Sequence, residues 1–495
     1  MAIKTWSPGE DVYASDLNGE FNNVYENIRL TKEQEINAGE DLSAFDLVKL
    51  ASNSGVEVRK IVGEYIDVAD TTPSLATPAN FALGNPYYRD SALLTALLAV
   101  HIYVKDSTTV GFRTVSIASN GGLTNNAEAT IIVAGMGGEP FIIERLSDTS
   151  FIATYNNAMV VGTVSGTTIT LGTPVDVGQR PLAVSVLDSD TFALAYKNGY
   201  DLYAAIGSVS GTTPSLGSAS IVVDGTAADY PYDARILLLS AASLVVSYGS
   251  GGGRYSGLRL KAATVSGTTI SSWGSEITTL DDYDGAYQQI IPLSDTKAFI
   301  HAFDSSTTAY AAILSVSGTT LSCSTPYSVS SSGGVTGKLA MMYSGDTYMG
   351  AKILSTYIQS GYVYAKIFTI NTGMTDISAV ATTGAFATGA DKSLDAFMLS
   401  RSRVFVTYYE SNNMCAVVGT FDTIDDRDEF VGINREDTDS GNDAIIHTAH
   451  GTLVTGMTGL TEGEKYYIQE DGTLGTTSSA YVVGIALSTT SLLFY

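Results

Sequence analysis

The pentapeptide Val164-Ser-Gly-Thr-Thr168, VSGTT, returns as residues 209–213, 265–269 and 316–320, with a weaker echo, INTGMT, from Ile370. A second motif runs out of phase ahead of each copy. It reads LSDTSF at Leu146, LDSDTF at Leu187, LSAASL at Leu239, LSDTKAF at Leu293, YSGDTY at Tyr343 and LSRSRVF at Leu399. Two turn signals per unit, at a period of about fifty residues, mark a radial or stacked array. The unit from Arg180 reads as four strands: RPLAVSVL (180–187), TFALAYK (191–197), LYAAIGSV (202–209) and SLGSASIVV (215–223). Each run is rich in β-branched and aromatic residues and closes on Gly, Asn, Asp or Ser. Glycine supplies a positive φ without a Cβ clash, and Asp or Ser bonds the local backbone, so SGTT and DSD read as hairpin turns.

Four antiparallel strands in about fifty residues describe a β-propeller blade. Five units are complete. A sixth, residues 97–133, shows three strands without a leading one, and the last, from Leu394 to Phe421, lacks its fourth. VRKIVGEYIDVA (58–69) could supply the missing strand and so remove the exposed edges of an open array. The expected fold is mainly β: a seven-bladed, alternatively six-bladed, propeller. A β-solenoid is the structural rival, but its repeats are shorter and lack paired hairpins.

The LSDT and VSGTT turns belong to one rim of such a ring. The opposite face carries longer, Gly-rich and aromatic segments at 224–235, 248–257, 280–287 and 355–362. Loops held on a rigid scaffold are where binding concentrates. The candidate ligand contacts there are Tyr230, Tyr232, Arg254, Tyr255, Asp282, Tyr283, Asp284, Tyr287 and Tyr357. Tyrosine offers large contact area at low entropic cost, and arginine adds directional hydrogen bonds. For each tyrosine, packing between blades is the competing reading.

Composition excludes several classes. The 26 basic residues stand against 51 acidic ones, a formal charge of −25, which argues against a phosphate-backbone partner. No apolar run is long enough to span a bilayer, so membrane insertion is not expected. MAIKTWSPGEDVY lacks the apolar core of a signal peptide. Cys323 and Cys415 are the only cysteines and read as free thiols. Four histidines (His101, His301, His447, His450) form no ligand set, and EDTDSGND (436–443) fails the calcium-loop pattern because Gly441 falls on a ligand position. LDDYDG (280–285) is a better cation candidate, yet reads first as a solvated turn, so neither a metal nor a cofactor is expected. No nucleophile elbow or phosphate-cradling loop is present. Paired carboxylates near Asp201, Asp233 and Asp281 leave a glycosidase as an alternative.

At the N-terminus, Ser15 reads as an N-cap, and Leu17, Phe21, Val24 and Ile28 form an apolar seam of a short helix. PGEDVYASDLNGEFNNVYENI (8–28) resembles the segment that opens many bacteriophage tail-fibre and fibre-like virion proteins. The C-terminal stretch 430–495 is similar to a small β-module of the same proteins, through Val431-Gly432-Ile433, the Gly459-Leu460 and Gly463 turn before Tyr466-Tyr467, Asp471-Gly472-Thr473-Leu474, and Gly484-Ile485-Ala486-Leu487-Ser488. That module usually begins with a line like INAGEDLSAFDLVKL, which here stands at 36–50. The resemblance therefore implies a propeller inserted into a discontinuous module, with a 1–33 attachment segment, module parts at 34–62 and 430–495, and the propeller at 63–429. It further implies a non-enzymatic appendage on the virion surface, commonly trimeric. Its N-terminal segment would hold other virion proteins and its propeller would face a host receptor or glycan. A polysaccharide-degrading spike and a decoration or adaptor protein touching only virion subunits are the alternatives.

Overall fold

The computed structural model describes residues 33–38, 47–50, 57–60, 64–66, 73–81, 85–133, 141–226, 231–250, 257–279, 288–303, 309–329, 339–343, 352–359, 361–371, 373–388, 392–400, 402–410, 413–421, 423–425, 430–434, 443–447, 453–469, 473–479 and 481–494. The helix expected over 15–28 lies outside them. The chain divides into two compact units at Ile66/Asp67 and Asp422/Thr423, the second being the continuous stretch 67–422.

That stretch is a β-propeller of seven blades. Their first, innermost strands are Asn85–Thr95, Ile142–Ser147, Arg180–Val186, Pro231–Ser240, Gln289–Ser294, Leu339–Tyr343 and Lys392–Met398, and each pairs antiparallel with the next strand of its own sheet. The second and third strands lie between neighbouring blades and are buried along most of their length, as in Ser150–Tyr155 and Asn413–Thr420. A strand covered on both faces has no polar side to show. This is why SFIATY and RVFVTYYE carry apolar side chains at consecutive positions instead of alternating. Apolar clusters fill the spaces between successive blades, such as Phe112 and Val110 of blade 1 against Phe151 and Val160 of blade 2. Where a large ring enters, the partner strand yields: a Cβ on Gly162 would lie 2.2 Å from the Phe151 ring, and one on Gly207 2.1 Å from Phe192.

Two expectations are corrected. Blade 1 does have a leading strand, Asn85–Thr95, whose register shifts at both ends and whose Asn-Pro start hides its alternation. The strand that completes blade 7 is not in 58–69. Glu57–Lys60 belongs to the other unit, and Glu64–Ile66 pairs with Thr423–Asp425. Closure is made by two short pieces, Ser74–Leu75 and Ala79–Phe81, both antiparallel to Asn413–Thr420. Pro78 separates them and leaves each too short for a periodic signal. Around the seam, Ala99, Val115 and Ile117 of blade 1 pack on Phe405, Met414 and Val418 of blade 7, and Arg403 donates to the carbonyl of Ala118.

The VSGTT repeat acquires two physical reasons. Ser165 pairs with Thr168, Ser210 with Thr213, Ser266 with Thr269 and Ser317 with Thr320, so the loop is the Gly-Thr dipeptide. Only its glycine has positive φ (59, 62, 56 and 60° at Gly166, Gly211, Gly267 and Gly318), which is the II′ turn that suits strand twist. The turn also docks on the preceding blade. A Cβ on Gly172 would sit 2.4 Å from the carbonyl oxygen of Thr212, on Gly217 2.4 Å from that of Thr268, and on Gly274 1.8 Å from that of Thr319. These glycines split the expected fourth strand: SLGSASIVV forms Thr213–Leu216 and Ser220–Val223, both paired to the third strand. In blade 5 the equivalent residue is Ser324, and there the following blade carries INTGMT, held instead by Lys297 Nζ on the carbonyls of Gly373 and Met374.

His301 sits wholly inside, its Nδ1 2.9 Å from Ser355 Oγ across the blade 5–6 boundary and its ring edge-on to Phe368. Burial, with Lys366 nearby, pushes its pKa down to about 3. The unfolded chain takes up a proton below about pH 6.5 while the folded one does not, so the site's stability is complete above that pH and drains as pH falls toward 3. Chemical denaturation between pH 7 and 4.5 is expected to show a loss approaching about 1.4 kcal/mol per unit, reduced in His301→Gln.

The other unit contains a closed barrel with strand order Glu33–Ala38, Glu57–Lys60, Leu47–Leu50, Phe430–Asn434 and Asp443–His447. Chain from both sides of the propeller thus shares one hydrogen-bonded barrel, since Leu47–Leu50 pairs with Phe430–Asn434 and Glu33–Ala38 with Asp443–His447. A five-stranded sheet follows, built on Val454, Tyr466, Ile468, Val483, Leu492 and Phe494.

Candidate functional site

The innermost strands of all seven blades surround a central cavity of about 470 Å³. Six blades place one equivalent residue in a tier of its wall: Asp90, Ile142, Ala183, Arg235, Gln289 and Asp395 in blades 1 to 5 and 7, while Leu339 of blade 6, which also lines the cavity, pairs with Ser355 and stands one residue out of that register. The register agrees. Asp90 pairs with Ile102, Ile142 with Thr154, Ala183 with Ala195, Arg235 with Ser247, Gln289 with His301 and Asp395 with Thr407. Two positions on, Glu144, Ser185, Leu237, Ile291 and Phe397 form a second, more apolar tier. Each first strand begins at the rim that bears the links between blades, so the charged tier lies nearer that rim than the apolar one.

The carboxylates are built in. Asp90 is 9% exposed, and its Oδ2 accepts the backbone N–H of Ile143 in the next blade at 2.8 Å. Asp395 is 2% exposed and takes the hydroxyl of Thr407 at 3.4 Å. In a closed ring of seven, blade 4 stands across from the junction of blades 7 and 1, which puts Arg235 opposite this pair. Its Nη1 donates to Asp233 Oδ1 at 2.9 Å and to the carbonyl of Ala234 at 3.0 Å. Asp233 holds φ +44°, a left-handed conformation costly for a residue with a Cβ, at a register shift between Tyr232 and Arg235. The fully buried Gln288 amide donates to the carbonyls of Asp233 and Ser247, which braces this bend.

Of the nine residues singled out from sequence, Tyr230, Arg254, Tyr255, Asp282, Tyr283, Asp284 and Tyr287 lie outside the described residues. Tyr232 falls on the first strand of blade 4, paired with Gly249. Tyr357 is 4% exposed, stacked on Tyr364 at 5.8 Å with Lys366 Nζ 5.7 Å from its ring centre, so it offers no contact surface to a ligand. It is one of six tyrosines at the same second-strand position, with Tyr103, Tyr155, Tyr196, Tyr248 and Tyr408; blade 5 has Ala302. Burial raises the phenol pKa of Tyr155 to about 12 and shifts that of Tyr357 upward. Packing between blades is what these tyrosines do. Tyr357→Phe is expected to cost about 1 kcal/mol in urea unfolding and to leave ligand binding unchanged.

Sequence reading passed over Asp90, Arg235, Gln289 and Asp395. The signal was there: a charge interrupts an apolar strand at Asp90, Arg235 and Asp395 (RDSALL, DARILLL, LDAFML), and Arg235, Gln289 and Asp395 stand four residues ahead of a motif leucine.

No protein family matches this chain, and neither does any curated protein. Solved structures do. Core Factor of S. cerevisiae aligns over 72% of this chain and 62% of its own, at 9% identity and a TM-score of 0.43. A putative 6-phosphogluconolactonase from Bacteroides uniformis aligns over 70% of this chain and 98% of its own, at 11% identity and 0.43. Saccharomyces cerevisiae Sqt1 aligns over 71% and 99%, at 9% identity and 0.40. This chain therefore spans about three fifths of the Core Factor chain. At such identities and scores the likeness carries no argument about activity.

Proposed function

We propose that the protein is a non-enzymatic component of a bacteriophage virion, a tail fibre or similar appendage, whose propeller presents a recognition face to a host receptor or glycan. The observation that carries this reading is the contrast between the two rims. On one, the turns between third and fourth strands are Gly-Thr dipeptides in blades 2 to 5, those of blades 3 to 5 pressed by their threonine carbonyls on a glycine of the preceding blade and that of blade 2 accepting the Thr114 hydroxyl. On the other, the chain between Ser250 and Leu258, between Thr279 and Gln289, and between Val329 and Leu339 is several times longer. The first rim has one long first-to-second strand link of its own, between Tyr343 and Lys352, and loops elaborated on a fixed scaffold are how partners are acquired without loss of the core. The sharing of one barrel by chain on both sides of the propeller supports the resemblance of those stretches to a virion module.

Binding of the fluorescently labelled full-length chain to host cells, with competition against phage adsorption, tests the proposal. Saturable binding that blocks adsorption is expected. Release of reducing ends from capsule or lipopolysaccharide would favour the degrading spike, and absence of cell binding would favour a decoration protein.

A further inference from the structure

We propose that the outer face of the C-terminal five-stranded sheet is a self-association surface, which takes the same face of a second copy of this chain. The observation is a run of apolar side chains on the side of the sheet that its own core does not use. Val454, Tyr466, Ile468, Ala486, Leu492 and Phe494 point one way, into that core. By alternation Leu453, Tyr467, Ile485 and Leu493 point the other way, and none of them belongs to the core. Leu453 stands opposite Leu493, Leu493 opposite Ile485, and Ile485 opposite Lys465, so one row crosses four strands. Val482 and Leu487 widen the patch, and with Leu453 they are 43, 48 and 49% exposed. An antiparallel sheet with one face on a core ordinarily turns polar residues outward. A contiguous apolar outer face marks a contact.

Charge selects the partner. The chain carries 51 acidic residues against 26 basic ones, so two copies repel each other over most of their surface. The outward positions of these four strands hold no carboxylate, and Lys465 is their one charge. Here two copies can meet without setting acid against acid, while a strongly charged partner would find little to pair with. The longest of the strands, Val482–Ser488, has seven residues. With strands about 4.8 Å apart and a rise of about 3.3 Å per residue, the face measures roughly 14 by 20 Å. Sheet faces of this kind stack about 10 Å apart, and a face that meets itself closes as a pair about a twofold axis. The contact is at the small end of stable interfaces, so the pair is expected to form in the micromolar range.

Sedimentation equilibrium of the full-length chain between about 1 and 100 μM, where so small a contact associates, tests this. The unmodified protein is expected to approach twice the single-chain mass reversibly. Leu453→Glu with Leu487→Glu should weaken the pair about tenfold or more, because each copy would then bring unpaired acids into the contact. Melting of the variant should be unchanged, since both leucines are already exposed. Leu97→Glu, at an exposed leucine of blade 1, should leave the mass as it was. A single-chain mass throughout, or a pair that survives the double substitution, overturns the proposal. So does a chain that pairs only after residues 1–32 are deleted, since the N-terminal segment would then be what covers the face. None of these results bears on cell binding through the propeller rim, so the two proposals fail separately.

Discussion

Replacing Gly274 with valine is expected to cost the protein about 3 kcal/mol or more, and to abolish a single cooperative unfolding transition if the blade boundary cannot shift. The smallest side-chain atom would fall 1.8 Å from the carbonyl oxygen of Thr319 and 2.8 Å from its carbon. Both are backbone atoms in a hairpin turn of the next blade, so relief would mean separating two packed sheets. Gly318, one residue before that threonine, makes the control. It has φ +60° and nothing within 4 Å of its missing Cβ, so Gly318→Ala should cost only the torsional strain of that conformation, about 1–2 kcal/mol. Guanidinium unfolding of both variants separates a glycine kept for space from one kept for its torsion. Equal effects would mean that the turn does not dock on its neighbour.

Deletion of residues 73–81 is expected to have the larger effect, loss of the folded propeller. Those residues add the last hydrogen-bonded ladder to Asn413–Thr420 and cover Met414, Ala416 and Val418, whose other face packs on blade 1. Without them blade 7 ends in an open strand, a template for aggregation. The cost approaches the whole stability of a typical domain, about 5 kcal/mol or more. Size-exclusion chromatography is expected to show aggregate. A monomeric deletion variant with unchanged melting would mean that the ring closes some other way.

How much of this was written in the sequence depends on period and length. VSGTT and LSDT mark two turns of each unit because a II′ turn needs glycine at one position and the strands beside it alternate or run apolar. The unit from Arg180 was legible almost strand for strand, down to Asp201–Ser210. Blade closure was legible as a need but not in its place, since Ser74–Leu75 and Ala79–Phe81 are two and three residues long, below any periodic signal. The fourth strands hid their division because Gly217 looks like a turn residue in sequence, whereas its use is to admit the Thr268 carbonyl. The cavity was missed for another reason. Asp90 and Asp395 are separated by most of the chain, and only ring closure makes them neighbours. Tyr357 shows the reverse error: an aromatic near a turn suggested a contact, but six blades share a tyrosine at that place, buried in five of them and half-buried at Tyr196.

The central claim is that chain from before the first blade completes the last one. A double variant, Ser74→Cys with Thr420→Cys, tests it most directly, because the two residues are directly opposed in the ladder and both exposed. Opposed residues of an antiparallel pair have Cα atoms about 5 Å apart, within reach of a disulfide. Mild oxidation followed by peptide mass mapping is expected to yield a bridge between positions 74 and 420 within one chain in nearly every molecule. Free thiols, or bridges only between chains, would contradict the closed ring.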